Sequence, residues 1–153
     1  MSTATTEKLQ SPLVRQFSVF LQNKVGALLE VVKLLNENAV VVLALSIQDS
    51  SESAIGRMIV SDPERVAELF KEHDIPHSEC DMIVVELEEG PNDLASVLAA
   101  ILMAEVNIFF SYPLLSRPRD KAVLALHLDD IECASSVLTG EGFRLLCQGD
   151  LSR

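Results

Sequence analysis

No apolar run in this chain approaches the roughly 20 residues that a helix needs to cross a bilayer. The polar, Ser- and Thr-rich stretch Met1 to Pro12 also lacks the apolar core of a signal peptide. Both absences point to a soluble, cytoplasmic protein with no membrane partner. Basic residues are scarce, 12 Lys and Arg against 23 Asp and Glu, and the acids behind the net charge of -11 are spread along the chain. Such a surface repels a phosphate backbone, which argues against nucleic acid as a partner. Cysteine is sparse too: Cys80, Cys133 and Cys147 form no C-x-x-C pair, and an odd count of scattered thiols fits a reducing compartment better than a disulfide framework.

Catalytic signatures are missing as well. There is no Gly-rich phosphate loop, no nucleophile elbow and no H-E-x-x-H helix, and the Ser and Cys side chains have no His at a recognisable spacing. The reading is a protein that is not an enzyme and needs no cofactor. The nearest approach to a metal cluster is His73, His77 and Cys80, but Pro76 interrupts any helix between the two histidines. That stretch reads as a polar helix-to-strand connection, with no metal site.

What the chain does contain is apolar residue, 48% of the total, enough for a core. Val14 to Leu21 alternates as a strand does, with Phe17, Val19 and Leu21 on one face. A short polar turn ending in Gly26 follows, and then Leu28, Val31, Val32 and Leu35 recur at helical spacing. The apolar run Val40 to Ile47, the polar turn from Asp49 to Ser53 and the run Ile55 to Val60 make a hairpin. A second helix starts with Asp62 as N-cap and Pro63 at the first helical position, and it buries Val66, Leu69 and Phe70. The chain then re-enters an extended stretch from Ser78 to Leu87.

The same order returns. Ile83 to Leu87 is a strand, Leu94, Val97, Leu98 and Ile101 form a helical stripe, and Val106 to Leu115 is a strand. Arg117 to Asp120 turns into the strand Ala122 to Leu128, Asp129 and Asp130 cap a helix, and Phe143 to Cys147 finishes. A shift of 66 residues superposes Val19 on Val85, Leu21 on Leu87, Gly26 on Asn92, Leu28 on Leu94, Val31 on Val97 and Val40 on Val106 without a gap. So long a period, repeated twice, means two copies of a small domain. The expected layout is a flexible tail over 1–12, a first domain over 13–80 and a second over 81–153. The fold class is α+β: two tandem ferredoxin-like βαββαβ units, each an antiparallel sheet with both helices on one face. Val40 to Leu45, Ile83 to Val85 and Ala122 to Leu126 are apolar at consecutive positions, so the open sheet faces also want cover, from the other unit or from a second chain.

These residues carry a resemblance. The element order, the turn Asn23-Lys24-Val25-Gly26-Ala27-Leu28 and its echo Gly90-Pro91-Asn92-Asp93-Leu94 resemble the ACT domain, a small regulatory module that binds amino acids in metabolic enzymes. From about Leu13 to Leu151 the chain is similar to small stand-alone bacterial proteins made of two tandem ACT domains. The resemblance implies an amino acid or similar small metabolite bound between adjacent domains by the loop backbone and by polar side chains. It also implies a homodimer and a possible metabolic enzyme partner. Asn23 and Gly26 match the family's loop, with Val25 in place of its proline. The second copy keeps Pro91 and has Asn107 where the family places a strand Asn, but Asn92 replaces the glycine and Glu89 the loop Asn.

The implied ligand-binding set is therefore Asn23, Lys24, Val25, Gly26, Ala27, Leu28, Pro91, Asn92, Asp93 and Asn107, with Asn23 and Asn107 as halves of a composite site. The chemistry suits an amino acid, whose carboxylate takes N–H donors at a helix start and whose ammonium takes carbonyls or carboxamides. Each residue also has a plain structural reading. Gly26 could only ease a helix entry, Asn23 could cap its own turn, and Lys24 could be a solvated side chain. Asn107 could be a turn residue after a helix, and Asp93 a first-turn acid. The competing function is a ligand-free interaction module that docks on a metabolic enzyme.

Overall fold

Strand alternation and helical stripes resolve into two units of identical plan. The computed structural model describes residues 13–22, 24–49 and 53–152, with the side chains of Lys24 and Val25 outside that description. The stretch 1–12 read as a tail, the loop residue Asn23 and the centre of the first hairpin turn at 50–52 lie outside the described residues.

Arg15–Cys80 forms one compact unit and Asp81–Leu151 the other. In the first, β1 (Leu13–Leu21) leads to α1 (Lys24–Glu37), the hairpin β2 (Val42–Asp49) and β3 (Ala54–Val60), α2 (Pro63–Glu72) and the opening residues of β4 (His77–Leu87). The order is β2-β3-β1-β4. Antiparallel pairing runs from Gln16↔Ile59 to Leu21↔Ala54 between β1 and β3, and the Phe20 N–H donates to Pro76 O at 3.1 Å as β4 is entered. Asp62 caps α2 as its sequence demands: its Oδ1 accepts from Arg65 N at 3.2 Å, with Pro63 at the first helical position.

The second unit repeats the plan with the remainder of β4, α3 (Leu94–Met103), β5 (Ile108–Pro113), β6 (Ala122–Leu128), α4 (Ile131–Gly140) and a two-residue β7 (Leu145–Leu146), in the order β5-β6-β4-β7. Asp130 Oδ1 accepts from Cys133 N at 3.0 Å, and Glu86 N–H donates to Arg144 O at 2.9 Å. Up to the hairpin the units superpose at the 66-residue shift. From β3 onward Val60 falls on Leu128 (128 - 60 = 68), so the second hairpin is two residues longer.

The cores correspond position by position. Phe17, Val19, Leu21, Val31, Leu35, Met58, Val60, Val66 and Phe70 fill the first. Their counterparts Ile83, Val85, Leu87, Val97, Ile101, Leu126, Leu128, Ala134 and Leu138 fill the second. Even the backbone specials repeat: Ala39 and Glu105 have φ of 59° and 57°, and Asp74 and Gly142 have φ of 52° and 91°. Each closes a helix, and the next apolar residue then donates back into it, as Val40 N to Leu35 O and Val106 N to Ile101 O do.

Within the apolar runs Leu43, Ala44, Met82, Val84, Val123 and Ala125 are buried, whereas Val41 is 56% exposed. Four local expectations change. α1 begins at Lys24, so Gly26 lies inside its first turn, where glycine is tolerated because the first N–H groups have no helical partner anyway. β5 is shorter than Val106 to Leu115 because Val106 is claimed by the helix end and Pro113 has no N–H to continue the ladder. Phe143 to Cys147 yields only the two residues of β7, after which a short helix α5 (Gln148–Leu151) buries Leu151. Leu94 and Leu98 stay 40% exposed, while Ala100 takes a core place beside Val97 and Ile101. Among the described residues no helix is long and apolar enough to cross a membrane.

Candidate functional site

A groove opens where β1 ends, between α1 and the α2–β4 connection, with a volume of about 530 Å³. Its floor follows from the fold. Val19, Leu21 and Val31 are core residues that reach its base, and Ala27 lines it because a small side chain one turn into α1 leaves space. Phe20, Leu34, Ile75 and Pro76 add apolar wall, while Glu30, Lys33, Glu37, His73 and Asp74 supply the polar groups. The positive φ of Asp74 turns the chain sharply there, which is what brings Ile75 and Pro76 across the groove. This volume lies within the roughly 300–1,000 Å³ typical of small-molecule sites.

The equivalent place in the second unit is smaller and of opposite character. About 360 Å³ is lined by Glu86, Glu88, Glu89, Asp93, Ser96, Glu141, Gly142, Phe143 and Arg144. Glu86 is 5% exposed, with Lys121 Nζ 3.8 Å from Oε1 and Arg119 Nε 3.9 Å from Oε2. Oε2 makes no hydrogen bond. Lys121 Nζ bonds Glu88 Oε1 at 2.9 Å, and that bond, then the cation's charge, holds the Glu88 carboxyl below its ordinary range. Asp93 Oδ2 accepts from Glu89 N at 2.9 Å, so a carboxylate already occupies the approach to this helix start.

The sequence-derived residues separate accordingly. Ala27 and Asp93, which the 66-residue shift superposes, line the two grooves. Gly26 is exposed beside the first groove, and with Lys24 and Val25 it forms the first turn of α1, whose N–H groups lack helical acceptors. Leu28 packs on the core instead. Pro91 and Asn92 are exposed in the short 3₁₀ turn Gly90–Asp93. Asn107 is tied to Asp129: its N–H donates to Oδ1 at 3.0 Å and its Nδ2 to Oδ2 at 2.9 Å. The first unit makes the same link with Val41 N donating to Ser61 Oγ at 2.9 Å, so this contact pins the start of the second strand in both copies.

Glu30, Lys33, Glu37 and Phe20 are groove residues that sequence reasoning passed over. Their helical or strand spacing marks them only as surface positions. His73 reaches the groove, whereas His77 packs against Phe17 and Phe70, with ring centroids 6.0 and 5.2 Å away, and its Nδ1 lies 2.8 Å from Ile75 O. Cys80 Sγ accepts from Gln16 Nε2 at 3.2 Å. Among the described residues no group of three His, Cys, Asp or Glu side chains is placed to hold a metal ion.

No curated protein matches the chain. Among solved structures it is similar to protein BT0572 from Bacteroides thetaiotaomicron, at 27% identity and a TM-score of 0.84 over 94% of this chain and 99% of that one. It shares the fold of the regulatory subunit of aspartate kinase from Thermus thermophilus in its ligand-free form, at 14% identity and a TM-score of 0.58, over 84% of this chain and 91% of that one. The corresponding subunit from Thermus flavus gives 12% identity and a TM-score of 0.54 over the same shares. The family model for an ACT domain pair matches residues 13–153. With two βαββαβ units in tandem and a match along the whole described length, the chain belongs to the ACT domain pair family.

Proposed function

We propose that this protein is a non-catalytic sensor that binds an amino acid, or a closely related small metabolite, and passes its presence on as a regulatory signal. The observation that carries the reading is the groove of the first unit, which lies next to the exposed Gly26 in the first turn of α1, in a chain of the ACT domain pair family. N–H donors in the first turn of a helix suit a carboxylate, the carboxylates of Glu30, Glu37 and Asp74 suit an ammonium, and the apolar floor suits a side chain.

A thermal-shift screen of the twenty amino acids tests this. A ligand that binds only the native state raises the melting temperature by mass action. At least one amino acid is expected to do so, and Gly26→Val and Asn23→Ala are expected to weaken that shift while far-UV circular dichroism stays unchanged. Silence across the set at millimolar concentration refutes the reading.

A second reading has its own observation. The outer face of α3 is apolar, with Leu94 and Leu98 each 40% exposed, Leu102 77% and Met103 84%. On a chain of charge -11 this nearly charge-free face suits a second copy of the chain or a partner enzyme. The homodimer belongs to either reading. Light scattering distinguishes it from a monomer, and amino-acid binding decides whether the assembly is also a sensor.

A further inference from the structure

We propose that the chain takes one amino acid, with an apolar side chain, in the groove of the first unit, and that the repeat-related groove of the second unit takes none. This rests on the amino-acid reading above and adds the ligand class and the stoichiometry.

The argument comes from comparing two grooves that the repeat makes equivalent. The shift of 66 places Phe20 on Glu86 and Ala27 on Asp93, and the shift of 68 places His73 on Glu141. At these three positions the second groove carries a carboxylate where the first carries an aromatic ring, a methyl group and an imidazole, while Ser96 and Gly142 stand where the first has Glu30 and Asp74. Glu88 and Glu89 bring its carboxylates to five, opposed by Arg144 in the lining and by Arg119 and Lys121, which pair with Glu86 and Glu88 from outside it, so Glu89, Asp93 and Glu141 keep the excess negative. Every amino acid brings its own carboxylate, and that group meets repulsion at close range there, with Asp93 already bonded at the helix start. The equivalence is therefore one of backbone and not of chemistry.

The first groove also has more carboxylates, Glu30, Glu37 and Asp74, than cations, Lys33, but most of its lining is apolar. Val31 at the base and Leu34, Ile75 and Pro76 in the wall offer apolar surface, while the acids and Lys33 belong to its polar part. A zwitterion can place its ammonium against a carboxylate and its own carboxylate towards Lys33 or the first-turn N–H groups of α1. The side chain is then left with the apolar wall. With the groove's acids turned to the ligand's ammonium, a charged or amide side chain of either sign would lie on the apolar wall and give up water hydrogen bonds with no matching partner there. A leucine-, isoleucine-, valine- or methionine-like side chain gains from the same contact.

Isothermal titration of the full chain tests this, with leucine, isoleucine, valine, methionine and phenylalanine set against aspartate, glutamate, lysine and serine. At least one apolar member is expected to bind at one per chain, and the polar ones about tenfold or more weaker. Ala27→Asp and His73→Glu each install the second groove's residue in the first, and each is expected to weaken binding about tenfold or more. His73 is exposed, so that variant keeps the fold even if Ala27→Asp does not. Glu141→Gln in the second groove is expected to leave affinity and stoichiometry unchanged. Two ligands per chain, tighter binding of a polar amino acid, or full affinity in His73→Glu would overturn the proposal while leaving amino-acid sensing intact. No binding of any amino acid would overturn both.

Discussion

Removing the Asn107 carboxamide separates the two roles that this residue can have. In the folded chain its Nδ2 donates to Asp129 Oδ2 at 2.9 Å and its backbone N–H to Oδ1 at 3.0 Å, while Asp129 N–H returns a bond to Asn107 O at 3.1 Å. Asn107→Ala deletes the first of these and leaves the two that involve its backbone. A bond to a charged acceptor contributes about 1.5–3 kcal/mol when buried, but this one is exposed and shared with water, so a loss of about 0.5–1 kcal/mol is expected. Asp129→Ala deletes two acceptors and is expected to cost about 1–2 kcal/mol. The double variant should cost less than the sum, because the shared bond can be lost only once. Urea unfolding followed by circular dichroism, with the change in midpoint multiplied by the slope, measures all three. The amino-acid melting shift of Asn107→Ala should match that of the parent. A variant that keeps its stability but loses the ligand shift would refute the structural role and make Asn107 a ligand contact.

Phe70 and its counterpart Leu138 are both fully buried, and Phe70 stands edge-on to Phe17 with ring centroids 5.6 Å apart. Phe70→Ala is expected to destabilise by about 3–5 kcal/mol and Leu138→Ala by about 2–5 kcal/mol, read from urea unfolding. Acid should erode one surface contribution in a definable window. Lys121 holds the folded-state Glu88 pKa below its ordinary value of 4.5, so that contribution is present above 4.5 and is lost as pH falls through the lowered value. Glu88→Gln should flatten that part of the stability profile, and added salt should do the same to the parent; an unchanged acid limb in both would refute the assignment. Leu102→Glu and Met103→Glu on the outer face of α3 should convert any self-associated species to a smaller one by light scattering, with circular dichroism unchanged. An unaltered mass would place the interface elsewhere.

Much of the fold can be read from local pattern. Period-two alternation marks β1, period-3.6 recurrence marks α1 and α2, and an Asp before the first helical residue marks both Asp62 and Asp130 as caps. Each of these signals depends on neighbours within a few residues, so it is present in the string itself. The 66-residue shift is equally local evidence applied twice, and it names the core pairs Val19 with Val85 and Val31 with Val97 that both cores contain.

Helix limits were less legible. Nothing in Lys24-Val25-Gly26 distinguishes a turn from the first turn of α1, since both leave the same N–H groups unpaired. An apolar stripe likewise cannot say which of its members meets a partner. Leu94 and Leu98 carry the right spacing yet remain exposed, because the sheet beneath α3 meets Val97, Ala100 and Ile101 instead.

By itself, then, the sequence determined the order of elements, their duplication, the capping residues and the paired core positions such as Val19 with Val85, because covalent neighbours and their periodicity decide those. Only tertiary structure decided the chemistry of the grooves. Phe20 and Ile75 share a wall although 55 residues separate them (75 - 20 = 55), and the carboxylates of Glu86 and Glu141 border one cavity although neither lies near the other in the chain. Asn107, a ligand residue by resemblance, is set by folding against Asp129, 22 residues away. A side chain's role depends on what surrounds it, and for these residues the chain supplies that surrounding only by closing on itself.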